Sequence, residues 1–119
     1  MCDRYERDIA RKLTDLNPTF VGAGGPGIYR ADGSPAPERH GVGLQCDCPC
    51  GCGYSILCDF LNPLDGGAPL DTTRPKWTRR GDSFETLVLS PSILRLDGCR
   101  WHGYLGGADG SRPGWMVPC

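Results

Sequence analysis

The stretch "CDCPCGCGYSILC", residues 46–58, places five cysteines in thirteen positions. Cys46, Cys48, Cys50 and Cys52 alternate with single residues, and Cys58 follows further on. Neighbours this close make poor disulfide partners, because a disulfide needs Cβ atoms that turn toward each other. Thiolates do suit zinc, which takes four ligands in a tetrahedron at about 2.3 Å from sulfur. Pro49, Gly51 and Gly53 let the backbone bend around a small ion. Four sulfurs from so short a stretch would strain one shell. Two or three from Cys48, Cys50 and Cys52 plus one from elsewhere relieve that strain, and Cys99 is the distant candidate. A catalytic zinc needs an open position and a base beside it. The cluster offers only Asp47, so the expected ion is a structural Zn2+.

Composition explains why such a staple is needed. With 119 residues the chain is expected to be a single domain, 1–119, with a thin core. It holds 18 glycines and 11 prolines, so much of it must be loop, and a loop-rich small domain needs a disulfide or a metal. Thirteen basic and 14 acidic residues give a net charge of −1 without blocks of one sign. Nucleic acid and membrane surfaces are therefore not expected partners. No apolar run approaches a membrane span, and "MCDRYERDIARK" is too charged for a signal peptide. The expectation is a cytoplasmic protein, where clustered cysteines mean metal more often than disulfides. Cys2 and Cys119 read as ordinary surface thiols.

Residues 3–16 predict a short amphipathic helix with Tyr5, Ile9, Leu13 and Leu16 on one face, ended by Asn17-Pro18. Residues 22–43 predict an irregular loop in which His40 is solvated. The "GAGGPG" run lacks the spacing of a phosphate-binding loop. From Tyr54 onward short strands alternate with turns: "YSILCDFL", "SFETLVLS", "SILRL", "CRWHGYL" and "GWMVP". The fold class is mainly β, a small antiparallel sheet with one N-terminal helix, glycine/proline-rich loops and a structural zinc site.

The segment "LSPSILRLDGCRWHG", residues 89–103, carries the chemistry. A two-residue Asp97-Gly98 turn would pair Ser92 with Gly103 and put His102 on the other face. A three-residue turn over Leu96-Asp97-Gly98 pairs Arg95 with Cys99 and sets Ser92 opposite His102, close enough for a hydrogen bond. Cys99 and His102 are three apart, so on a regular strand they face opposite ways. Cys99 can then join the metal cluster while His102 serves as a base. The competing roles are a hydrogen-bonded surface histidine and a zinc-ligating His102.

The combination "CPCGCG" (48–53), "KW" (76–77), "FETLVLSPSI" (84–93) and "CRWHGYL" (99–105) resembles a bacterial and phage family, domain-of-unknown-function family six-five-two-seven. These motifs span residues 48–105. Some members of that family are encoded beside a ubiquitin-like protein and its activating and conjugating enzymes. The resemblance implies a small zinc-binding β domain acting as a serine peptidase on the C-terminal tail or conjugates of a ubiquitin-like partner. It maps the nucleophile to Ser90 or Ser92 and the base to His102. Ser92 is preferred because the three-residue turn sets it opposite His102. Of the carboxylates, Asp97 sits in the turn, and Asp59 or Asp82 reach the histidine only through the fold. Oxyanion donors are sought among the amides of Gly103–Gly107, and a peptide groove among Trp77, Trp101 and Tyr104. The alternatives are a non-catalytic zinc module that binds a protein of the same pathway, and a metallohydrolase with His102 on the zinc.

Overall fold

The computed structural model describes residues 9–95 and 99–119. Within them are nine short strands: β1 (Arg11–Lys12), β2 (Thr19–Ala23), β3 (Arg39–Asp47), β4 (Ser55–Phe60), β5 (Lys76–Arg80), β6 (Val88–Ser90), β7 (Ile93–Leu94), β8 (His102–Leu105) and β9 (Trp115–Pro118). They build two sheets instead of the one expected. The first runs β1-β9-β8-β7 and is antiparallel throughout; the second runs β2-β3-β4-β5-β6. In the second sheet β4 and β5 are parallel, and the other pairs are antiparallel. No helix among the described residues is long and apolar enough to cross a membrane.

The predicted N-terminal helix does not form in the described part of its range. Arg11 and Lys12 pair with Met116 and Trp115 as an edge strand, and Leu13–Leu16 make one 3-10 turn. Leu13 and Leu16 are buried as their spacing suggests, but Ile9 is exposed. Three residues per turn place Leu13 and Leu16 on one face just as a helix would. Pairing with β9 takes the preceding backbone, which helix propensity alone cannot outbid. Asn17 in the left-handed region (φ 48°) then ends the turn. Residues 3–8 of that prediction lie outside the described residues.

The expected loop over 22–43 is shorter, because β2 runs to Ala23 and β3 starts at Arg39. His40, at its end, is exposed, with its Nε2 2.9 Å from Glu38 Oε2. Cys119 is disulfide-bonded, which corrects the surface-thiol expectation there. Cys2 lies outside the described residues.

A single core lies between the sheets. Leu44, Ile56, Phe60 and Leu89 enter from the second sheet, and Ile93, Leu105 and Met116 from the first. Burying each such side chain is worth about 1.5–3 kcal/mol relative to exposure. Cys46 and Cys58 belong to this core, and burial pushes the Cys46 thiol up to about 12 and Cys58 up as well. Both act as small apolar side chains. In the first sheet Ile93, Gly103 and Leu105 face the core, so Ser92, Leu94, His102 and Tyr104 fall on the outer face.

Candidate active site and metal centre

Between β6 and β7 the chain leaves the edge of one sheet and becomes the edge of the other. Pro91, after a cis peptide bond from Ser90, makes that crossing, and Ser92 follows it. In the observed register Leu94 lies opposite His102 and Ile93 opposite Gly103. The three-residue turn would have set Ser92 opposite His102, so the pairing has slipped by two residues. A slip of two preserves the face, since side chains alternate with period two. Ser92 and His102 are therefore diagonal neighbours, and Ser92 Oγ stands 3.0 Å from His102 Nε2. The turn residues Leu96, Asp97 and Gly98 lie outside the described residues.

Three further contacts frame this pair. The indole Nε1–H of Trp77, on β5, donates to the Ser92 carbonyl oxygen at 3.2 Å. It ties the residue before β7 to the opposite sheet. The Tyr104 ring lies 6.3 Å from the His102 imidazole, centroid to centroid. A cleft of about 210 Å³ opens beside Pro91 and Tyr104. Ser90 lies elsewhere, exposed on β6 opposite Thr78. The structure thus brings Ser92, not Ser90, to His102.

Other sequence candidates separate as clearly. Trp101 is 1% exposed and belongs to the core, so it lines no groove. Asp59 is buried and engaged by Arg74 at 2.9 Å and Thr72 at 3.0 Å. The Gly106 amide donates to the Trp115 carbonyl, which removes it from the oxyanion candidates.

The four sulfurs of Cys48, Cys50, Cys52 and Cys99 lie within 4.8 Å of one another. Cys48 Sγ is 3.4 Å from both Cys50 Sγ and Cys99 Sγ. A tetrahedral zinc holds its sulfurs roughly 3.8 Å apart, so the donor set fits such an ion. Gly51 (φ 81°) and Gly53 (φ 88°) supply the left-handed turns that let alternate cysteines converge. Crowding pulls the thiols apart in acidity. Burial and the neighbouring thiols push Cys50 up. Burial also acts against Cys52, but hydrogen bonds from the Tyr54 amide and the other cysteines bring it down to about 7. A divalent cation would hold all four as thiolates.

Sequence analysis missed Arg95 at this centre. Its Nη1 lies 3.3 Å from Cys52 Sγ and 3.8 Å from Cys99 Sγ, and its guanidinium stacks over the Tyr54 ring at 5.3 Å. Four thiolates around a divalent ion carry a net negative charge, which this cation offsets. The Arg95 amide also bonds the Trp101 carbonyl at 3.0 Å. The cysteine cluster therefore lies at the far end of the strand pair that carries Ser92 and His102. His102 Nε2 faces Ser92, and His102 is not among the four clustered ligands.

The chain belongs to the family of bacterial ubiquitination-like system serine proteases (BubE). The family model matches residues 32–109, which include Ser92, His102 and all four clustered cysteines. No curated protein and no solved structure matches the chain. The residues before Asp32 in this BubE member, with β1 and β2, lie outside the matched segment.

Proposed function

We propose that this BubE-family chain is a serine peptidase in which Ser92 is the nucleophile and His102 the general base, acting on the C-terminal tail or conjugates of a ubiquitin-like protein. The observation that carries this reading is the 3.0 Å contact between Ser92 Oγ and His102 Nε2. A neutral imidazole accepts the hydroxyl proton at Nε2 as Oγ attacks the scissile carbonyl carbon. The tetrahedral intermediate collapses, the C–N bond breaks, and the imidazolium returns its proton to the leaving amine. Water then attacks the acyl-serine, its proton passing to His102 and on to Ser92 Oγ, and the acid product leaves. The base contributes roughly 10²–10⁴-fold in rate.

Cys48, Cys50, Cys52 and Cys99 would hold a structural zinc, which when bound cross-links the cysteine-rich turn to the residues before β8. Placement of His102 on Ser92 favours a base over a zinc ligand, and so favours a peptidase over a metallohydrolase. The test is labelling with a fluorophosphonate, read by intact mass beside metal analysis. Labelling should map to Ser92 and vanish in Ser92→Ala and His102→Ala while the metal content stays the same. Wild-type protein that keeps its metal and takes no label would return the chain to a binding module. Loss of metal in His102→Ala would make the histidine a ligand.

A further inference from the structure

We infer that the cleft beside Ser92 is a subsite in which the Arg80 guanidinium binds a substrate carboxylate, resting on Ser92 as the nucleophile proposed above. The cleft lies between the sheets. Arg80, Ser90 and Pro91 form one wall, and Tyr104 with the Gly107–Gly110 turn forms the other. Pro91 directly precedes Ser92, and the Tyr104 ring lies 6.3 Å from the His102 imidazole, so the cleft is one residue removed from the pair, neither member of which lines it. A volume of about 210 Å³ suits one short side chain or a chain end.

Arg80 is fixed in place. Its Nη2 donates to the Gly110 carbonyl at 3.0 Å, bridging β5 to the connection between β8 and β9. Glycine at 110 suits the backbone there and leaves room for the guanidinium. A Cβ there would stand 2.7 Å from Arg80 Nη2, and the backbone is in the left-handed region (φ 75°). Among the described residues Arg80 has no carboxylate partner. Asp109 also borders the cleft, but its carboxylate accepts the Ser111 amide at 3.0 Å in a turn of its own. A guanidinium has five N–H donors, and one carbonyl occupies only part of that fork. An oriented, unpaired guanidinium in a groove is matched by a carboxylate, which it can bind with two parallel hydrogen bonds.

On a peptide substrate that carboxylate has two sources. It is an Asp or Glu side chain on the acyl side of the scissile bond, or the terminal carboxylate of a short leaving segment. Both are tested on the intact, metal-loaded chain by the rate at which Ser92 becomes phosphonylated. Two dipeptidyl diphenyl phosphonates would be compared, identical except for Glu or Gln in the residue before the phosphonate. In parallel, a tetrapeptide acid and its amide would be compared for protection against a neutral fluorophosphonate.

A side-chain source gives labelling about tenfold faster with the Glu probe. A terminal source gives equal probe rates and protection by the acid but not the amide. In either case the discrimination should vanish in Arg80→Gln, persist in part in Arg80→Lys, and weaken with added salt. Arg80 is exposed, so Arg80→Gln should keep its fold and metal. Normal labelling with no discrimination by either pair overturns the subsite and leaves the nucleophile standing. Discrimination that survives in Arg80→Gln also overturns it. Failure of every probe to label Ser92 overturns the nucleophile, and the subsite with it.

Discussion

Replacing Trp77 with phenylalanine removes one N–H and leaves most of the ring in place. The lost contact is the 3.2 Å bond from Nε1 to the Ser92 carbonyl, one residue ahead of the two-residue strand β7. A neutral hydrogen bond of this kind is worth about 0.5–1.5 kcal/mol net to stability. The same free energy applies to how firmly Ser92 is aimed at His102, because β7 supplies only two residues of pairing to hold it. At about 1.4 kcal/mol per tenfold in rate, full transmission lowers kcat roughly two- to tenfold. KM should stay unchanged, since the indole N–H faces a backbone carbonyl and not a substrate. The assay pairs steady-state hydrolysis of an activated ester with a urea titration of the same variant. Trp77 is a positioning residue if kcat and the labelling rate fall together at constant KM. A lowered urea midpoint with unchanged labelling would refute that and leave the bond purely structural. A raised KM with unchanged kcat would return Trp77 to the groove role suggested by its sequence.

Three other outcomes follow from the same geometry. Stripping metal with a chelator, or Cys48→Ser, should abolish Ser92 labelling in step with the loss of near-UV circular dichroism. Structural zinc sites contribute on the order of 10 kcal/mol to folding, and a zinc held by these four cysteines would close the Ser92–His102 strand pair. Full labelling after complete metal loss would contradict it. Gly103→Ala should destabilise by about 1–3 kcal/mol in urea, because a Cβ there enters the Trp101 ring and the Val117 carbonyl; a wild-type midpoint would disprove the packing. The Arg39 side chain at 2.8 Å and the Gly67 amide hold the Asp65 carboxyl down at about 2. Its folded value lies below the ordinary 3.9 or so, so its stabilisation is present above that value and fades as the pH falls toward 2. Asp65→Asn should flatten the urea midpoint over that acid window, and an unchanged slope would refute the assignment.

The cysteine pattern was legible because ligand chemistry constrains residue type more than fold does. Single-residue gaps with glycines between them announced a convergent turn, and Cys99 was the remaining candidate once strain around one ion was considered. Strand parity was not what separated Cys99 from His102, because β8 begins only at His102 and Arg100 between them lies in the left-handed region (φ 54°). The exact opposition of Ser92 and His102 was not legible, since it depends on how the chain turns after Arg95. The shared face survived because alternation repeats every two residues. The N-terminal segment misled for a related reason: Leu13 and Leu16 serve a helix and a 3-10 turn equally. What decided between them was β9, about a hundred residues away. Arg95 and Arg80 gave no local signal at all. Both acquire meaning from long-range neighbours, the cysteine sulfurs for one and the Gly110 carbonyl for the other.

Strand order has one more consequence. Read as a circle, in which β1 follows β9, neighbouring strands are consecutive in both sheets: β7, β8, β9, β1 and then β2 through β6, with β4 and β5 the one parallel pair. The backbone passes between the two sheets at just two joints, the Leu13–Leu16 turn and Pro91. The proposed nucleophile is the first residue beyond the second joint, while its histidine is the first residue of β8. Ser92 is therefore tied to both sheets, by the chain through Pro91 to β6 and by the Trp77 indole on β5, whereas His102 belongs to one.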